Sequence, residues 1–243
     1  MKPPRTTRAR RTAGGLPRQG RAIAPRVVSR RAQQRGLDTR QRILLAALSA
    51  FADHGYEGAM TRDIARAAGV QQPLLNYHFG SKSALWEASI TWIFDELRRT
   101  YAETFDGVEA QSPEAALRVV LRELVRFNAR HPELSRVMIK EAAAQSERLE
   151  WIVGHHLRPL FDTTHDLLRA VQHDGRLRAI APVHLYYMMI GAAGSIFTMA
   201  GSYRLLTGAD PFEPRGAEAY ADAIVRLFCE PIAATGRRGR TTD

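Results

Sequence analysis

The stretch QQPLLNYHFGSK, Gln71 to Lys82, concentrates groups that recognise nucleic acid. The amides of Gln72 and Asn76 can pair with adenine or bond other base edges, and Pro73 offers an apolar contact for a thymine methyl. Tyr77 and His78 can donate to phosphate oxygens. Lys82 adds a cation where the free N–H groups of a starting helix also favour an anion. Thr61 and Arg62 stand in the same relation to the start of an earlier helix. This chemistry is reading and gripping; no bond of a substrate is broken.

A second cluster raises the question of a metal: His155, His156, Asp162, His165, Asp166 and His173 crowd one predicted helix. Helical His and Asp neighbours can ligate zinc. His155 and His165 lie ten residues apart, however, and no HExxH pattern exists, so no metal and no cofactor is expected. No nucleophile–base–carboxylate set, phosphate loop or cofactor fingerprint supports an enzyme. The single cysteine, Cys229, excludes an intramolecular disulfide and a thiolate zinc site.

The elements that position these groups read as helices throughout. Asp38 and Thr39 are cap candidates for a first helix carrying Ile43, Ala47 and Phe51 at i, i+4, i+8, stopped at Gly55. A second short helix is predicted from Thr61, as N-cap, to about Ala68, ending at Gly69; a third covers roughly Gln72 to His78. In the third, Leu75 and Phe79 form the buried face and Gln72, Asn76 and Tyr77 lie away from it. Two short helices joined by a glycine turn form the helix-turn-helix pattern, whose second helix enters the DNA major groove. Ser81 caps a long fourth helix, Ser112-Pro113 opens a fifth and His131-Pro132 a sixth. A seventh is expected over about 147–173, an eighth from Pro182, and a ninth beyond Pro214. The fold class is therefore all-α, with about nine helices. The expected division is a disordered arm (1–37), a helix-turn-helix domain (38–84), a connecting fourth helix (85–110), a larger helical domain (111–235), to which the resemblance given next assigns effector binding and dimerisation, and a flexible tail (236–243).

The segment DTRQRILLAALSAFADHGYEGAMTRDIARAAGVQQPLLNYHFGSKSALWEA resembles the DNA-binding region of the tetracycline-repressor (TetR/AcrR) family. The resemblance rests on Thr39, Ile43 to Phe51, Gly55-Tyr56, Thr61 with Ile64-Ala65, Ala68-Gly69-Val70, Leu75, Tyr77-His78-Phe79, Ser81-Lys82 and Leu85. It spans residues 38–88, a fifth of the chain. It implies an all-α homodimer of nine or so helices that dimerises through helices eight and nine. The third helix would lie in the major groove, and a C-terminal domain would bind a small effector that releases a repressor from its operator. By position, Arg62, Gln72, Pro73 and Asn76 would face bases, and Thr61, Tyr77, His78 and Lys82 phosphates. Asn76 stands where the family very often has a tyrosine that touches DNA backbone, which moves this position toward base reading. Leu74 replaces a usual small hydroxyl residue.

Charge adds an arm to this picture. The net charge is +10, and residues 1–37 hold eleven basic residues and no acid, leaving 38–243 at −1. Such an arm cannot bury enough apolar surface to fold, and it attracts phosphate; a passive tail or an organellar transit peptide has the same composition. The run Ala179 to Tyr203 contains no Asp, Glu, Lys or Arg, but Pro182, His184, Ser195, Thr198 and Ser202 interrupt it, so a buried helix is expected there and the compartment is the cytoplasm. Candidates for the wall of the effector pocket are Phe127, Met138, Trp151, Phe161, Tyr186 and Met189. For the dimer seam they are Gly191 and Gly194, which allow close helix approach, with Tyr220, Ile224 and Phe228. The expected function is a sequence-specific transcription regulator, a repressor released by a small molecule, whose partners are double-stranded operator DNA, that effector and a second copy of the chain. The alternatives are a helical enzyme or metal-binding protein using the His/Asp cluster, and a basic-armed protein that binds nucleic acid without sequence preference.

Overall fold

The computed structural model describes residues 30–105, 112–173, 177 and 180–230. Most of the basic arm and the whole 236–243 tail lie outside them. Among the described residues every regular element is helical. They are α1 (Arg30–Gly58), α2 (Thr61–Ala67), α3 (Gln72–Phe79), α4 (Lys82–Phe105), α5 (Pro113–Arg130), α6 (Pro132–Ala144), α7 (Glu147–Ile152), a π-helical turn (Val153–Leu157), α8 (Arg158–His173), α9 (Pro182–Thr198), α10 (Ala200–Thr207) and α11 (Pro214–Cys229).

Local chemistry accounts for most boundaries. Ser112 accepts a hydrogen bond from Ala115 N at 3.1 Å, and Ser81 from Ala84 N at 3.1 Å, each satisfying an otherwise orphaned amide. Pro113, Pro132, Pro182 and Pro214 stand at helix starts, where the missing N–H costs nothing. Gly55 breaks α1 as expected, with φ 70° and ψ 174°. Three expectations need correction. Asp38 and Thr39 do not stand at the start of the first helix, because α1 runs back through them to Arg30. The seventh helix is divided by the π-turn. Pro159 has no N–H to give the carbonyl of residue 155, and a widened turn just before it accommodates that loss. The eighth helix is two, α9 and α10, bent by 67°. Among the described residues no single helix is long and apolar enough to cross a membrane; that bent pair reaches the length only together.

Two apolar clusters hold the chain together. One joins α1 to α4 and continues without a break into Phe127, Val137 and Ile152 of the following helices. The other is built from α5, α8, α9 and α11. The first cluster therefore ties α1 and α4 directly to α6 and α7. Polar contacts reinforce that junction: Arg136 to Asp53 at 2.7 Å, Lys140 Nζ to the Asp53 carbonyl at 3.2 Å, and the Arg148 guanidinium 4.1 Å from the Tyr56 ring.

Candidate nucleic-acid interface and inner cavity

The helix-turn-helix is assembled by a few buried residues. Ile64 and Ala65 fix α2 to α1, and Leu75 and Phe79 fix α3. The turn between them passes through Gly69 at φ 66°, a conformation L side chains rarely adopt. Val70 N closes it on Ala65 O at 2.9 Å. Gly80, at φ 73°, ends α3 and turns the chain into α4.

With that face anchored, the other side of α3 is open. Gln72, Pro73, Leu74, Asn76 and Tyr77 are exposed, Tyr77 by 84%. His78 is half-buried, its ring 5.6 Å from that of Tyr77. Thr61 is the first residue of α2 rather than its cap; Met60, in extended conformation, precedes the helix. The Thr61 hydroxyl instead accepts from Gln72 Nε2 at 3.4 Å, joining the N-termini of α2 and α3. Arg62 is exposed, and Asp63 pairs with Arg66. Lys82 donates to the Glu57 carbonyl at 3.1 Å and lies 4.8 Å from the Tyr56 ring. That bond uses one of three ammonium donors. Tyr56 is thus flanked by Lys82 and by Arg148 of α7, a junction that sequence reasoning missed because its partners are distant in the chain.

A cavity of about 400 Å³ lies among α4, α5, α6, α8 and α9. Phe127, Met138, Tyr186 and Met189 line it, together with Phe94, Leu97, Asn128 and Ser135, which were not expected. Trp151 and Phe161 do not. The Trp151 ring packs on Trp86 and His155 at the junction, and Phe161 braces Tyr186 edge-on at 4.9 Å. A second cavity of about 470 Å³ shares Tyr101, Val120, Leu160 and Thr164 with the first. Burial, with the Glu123 carboxylate and Tyr186 beside it, holds the Tyr101 phenol well above its usual range, so it is neutral.

The seam candidates divide. Gly194 is buried inside the chain, where a Cβ would stand 3.1 Å from Asn128 Oδ1 and 3.2 Å from Ser135 Oγ. Ile224 and Phe228 are buried in the second cluster, because the apolar stripe of α11 faces α5. Tyr220 is half-buried and hydrogen-bonds the Ala192 carbonyl. Gly191 alone of the five is exposed. The outward faces carry other residues: Val183, Tyr187, Met188 and Ile190 on α9, Ala219, Ala223 and Leu227 on α11.

The His/Asp cluster is dispersed. His155 bonds the Trp151 carbonyl at 2.8 Å, His156 stacks on Phe94 at 4.8 Å, and His165 stacks on Phe161. Among the described residues no group of three His, Cys, Asp or Glu could hold a metal ion.

Comparison with known proteins agrees with this geometry. Residues 43–88 match the family described as bacterial regulatory proteins, tetR family, and residues 113–227 match the tetracyclin repressor-like C-terminal domain. The chain is 29% identical over 170 residues to the HTH-type transcriptional regulator RutR of Escherichia coli, covering 69% of this chain and 77% of that one. It is 31% identical over 151 residues to the HTH-type transcriptional repressor AcnR of Corynebacterium diphtheriae, covering 61% and 73%. Among solved structures it resembles the fatty acid degradation regulator FadR of Bacillus halodurans, with TM-score 0.57 and 18% identity over 80% of this chain and 96% of that one. A TetR-like regulator from Rhodococcus sp. RHA1 also gives 0.57, with 22% identity over 78% and 92%. At these identities the structural likeness speaks for the fold alone.

Proposed function

The chain belongs to the tetracycline-repressor family of DNA-binding transcription regulators, and from that premise we propose that it binds a pseudo-palindromic operator as a homodimer, represses transcription, and is released when a small molecule fills the inner cavity. The observation that carries the DNA-reading part is the division of α3. Leu75 and Phe79 are buried, while Gln72, Pro73, Asn76 and Tyr77 face outward from a helix short enough to lie in the major groove. Gln72, Pro73, Asn76 and Arg62 read bases; Thr61, Tyr77, His78 and Lys82 hold phosphates. The compartment is the cytoplasm, where the operator is.

The dimer seam in this proposal is the outward face of α9 and α11. Gly191 remains at its edge, where it and Ile190 also border the inner cavity, joined by Tyr187, Met188, Ala223 and Leu227, whose apolar surface is otherwise left in water. A two-fold pair of α3 helices would then meet half-sites one helical turn, about 34 Å, or a multiple apart.

Release is supported by α4, which touches both ends of the mechanism. Lys82 opens it, and Phe94, Leu97 and Tyr101 line the cavity further along. Nineteen residues at ~1.5 Å each separate Lys82 from Tyr101 by about 28 Å, so a tilt of this rigid rod at one end moves the other. The Tyr56 contact with both Lys82 and Arg148 offers a second link between α7 and the interface.

Anisotropy titrations against operator and random duplexes at several salt concentrations test the assignment. Lys82→Ala should weaken binding to every duplex and lower the salt slope by about one. Gln72→Ala should cost about 1–3 kcal/mol on the operator and relax discrimination at one base pair. Equal losses on all duplexes for Gln72→Ala would remove it from the readers.

A further inference from the structure

Resting on the reading of the inner cavity as an effector site, we infer that its ligand is an uncharged, elongated, largely apolar molecule whose single acceptor group takes a hydrogen bond from Tyr186. The walls are the first argument. Apart from Arg98 at the second chamber, no Asp, Glu, Lys, Arg or His lines either space among the described residues. Arg98 is already paired with Asp95. A carboxylate or ammonium brought inside would lose its hydration without gaining a partner. Buried Glu123 acts on the lining Tyr101 and adds repulsion of an anion there, while its own charge is matched by Arg126 at 2.7 Å.

The polar groups narrow the class further. Most lining donors are committed to the protein. Asn128 Nδ2 donates to the Leu124 carbonyl at 2.8 Å, and Ser135 Oγ donates to Asn128 Oδ1 at 2.6 Å. Thr164 and Thr198 donate to carbonyls of their own helices at 2.7 and 3.0 Å. Tyr186 is different. It is 92% buried, lines the cavity, and makes no hydrogen bond among the described residues. Its ring is clamped edge-on between Phe161 and Tyr187, so the phenol is held in place before a ligand arrives. Its hydroxyl opens on the cavity rather than being sealed in the protein, so it is free to donate to a carbonyl acceptor in that apolar space. The shape follows from adjacency: spaces of about 400 and 470 Å³ share Tyr101, Val120, Leu160 and Thr164 as lining, so a chain-shaped ligand seated in the first extends toward the second across these side chains. Esters, ketones, lactones and amides with a long alkyl body fit this description; free fatty acids do not.

The test compares methyl dodecanoate with dodecanoate at pH 7.5, both below the micelle threshold, by calorimetric titration into the full-length protein. The ester should bind at least tenfold tighter than the acid. Tyr186→Phe keeps the ring and should weaken the ester about five- to tenfold while leaving the melting temperature unchanged. Leu160→Trp, which fills the junction of the chambers, should abolish ester binding; if that variant does not fold, Val120→Phe on α5 serves instead. Equal or tighter binding of the acid overturns the inference. So does an unchanged ester affinity in Tyr186→Phe, or no ester binding at all. Operator binding is measured in parallel: ester that binds through Tyr186 without releasing DNA supports the ligand class and refutes the effector role.

Discussion

Gly194→Ala separates a glycine needed inside the chain from one available to a partner. Its Cβ would stand 3.1 Å from Asn128 Oδ1 and 3.2 Å from Ser135 Oγ, about 0.2–0.3 Å inside ordinary contact. Neither neighbour can yield freely. Asn128 is buried and held from both sides, by its bond to Leu124 O and by the 2.6 Å bond from Ser135. Moving either weakens a buried hydrogen bond and strands a polar atom, at a cost of about 2–3 kcal/mol. The helix gains ~1 kcal/mol when glycine becomes alanine. The net loss is therefore about 1–2 kcal/mol, a fall of roughly 2–8 °C in melting temperature for a chain of this length. Gly191, one turn earlier, has nothing within 4 Å of the same added atom, so Gly191→Ala should leave the fold as stable or more stable. Thermal unfolding of both variants at one protein concentration, with sedimentation to follow dimerisation, reads the difference. A Gly194→Ala protein as stable as wild type, or one whose defect is confined to dimerisation, would refute the packing argument.

Three further outcomes are expected. His156 is 95% buried, and burial, with Arg98 and His155 nearby, lowers its pKa from the ordinary 6.5. Below pH 6.5 the unfolded chain therefore binds the proton first, and stability falls as pH drops toward the lowered value. Denaturant unfolding at pH 7.5 and 5.5 should show a smaller loss for His156→Leu than for wild type, with half-buried His131, also lowered by burial, supplying part of the remainder. Leu227→Asp places a charge on the outward face of α11 and should shift the protein from dimer to monomer in sedimentation without changing its helical circular dichroism; an intact dimer would exclude that face. Deleting residues 1–29, which carry eight basic residues, should weaken DNA binding more at low salt than at high salt. Unchanged affinity would make the arm a passive tail.

Local signals were legible in the sequence and tertiary ones were not. Ser81, Ser112 and the helix-starting prolines act within one turn, so they mark ends without knowledge of the fold. The buried pair Leu75 and Phe79 follows from spacing, and the open face of α3 follows from it. Periodicity shows that α11 has an apolar stripe but not what covers it; Ile224 and Phe228 face α5, and Leu227 is left outside. Glycine spacing in α9 could not distinguish Gly191 from Gly194, because the difference lies in Asn128 and Ser135, more than 50 residues earlier in the chain. Trp151 and Phe161 have the bulk of cavity walls, yet Trp151 packs against Trp86 and His155, and Phe161 against Tyr186 and His165. The π-turn depends on how one helix absorbs Pro159 while keeping both ends packed.

The central claim is that α3 reads a defined sequence as one half of a two-fold pair. Selection of bound duplexes from random DNA by the full-length protein tests it most directly. The account predicts enrichment of an inverted repeat, and a change of preference at one symmetric pair of positions when Asn76→Ala is selected in the same way. Binding without enrichment of any sequence, or enrichment of a motif without two-fold symmetry, would contradict it.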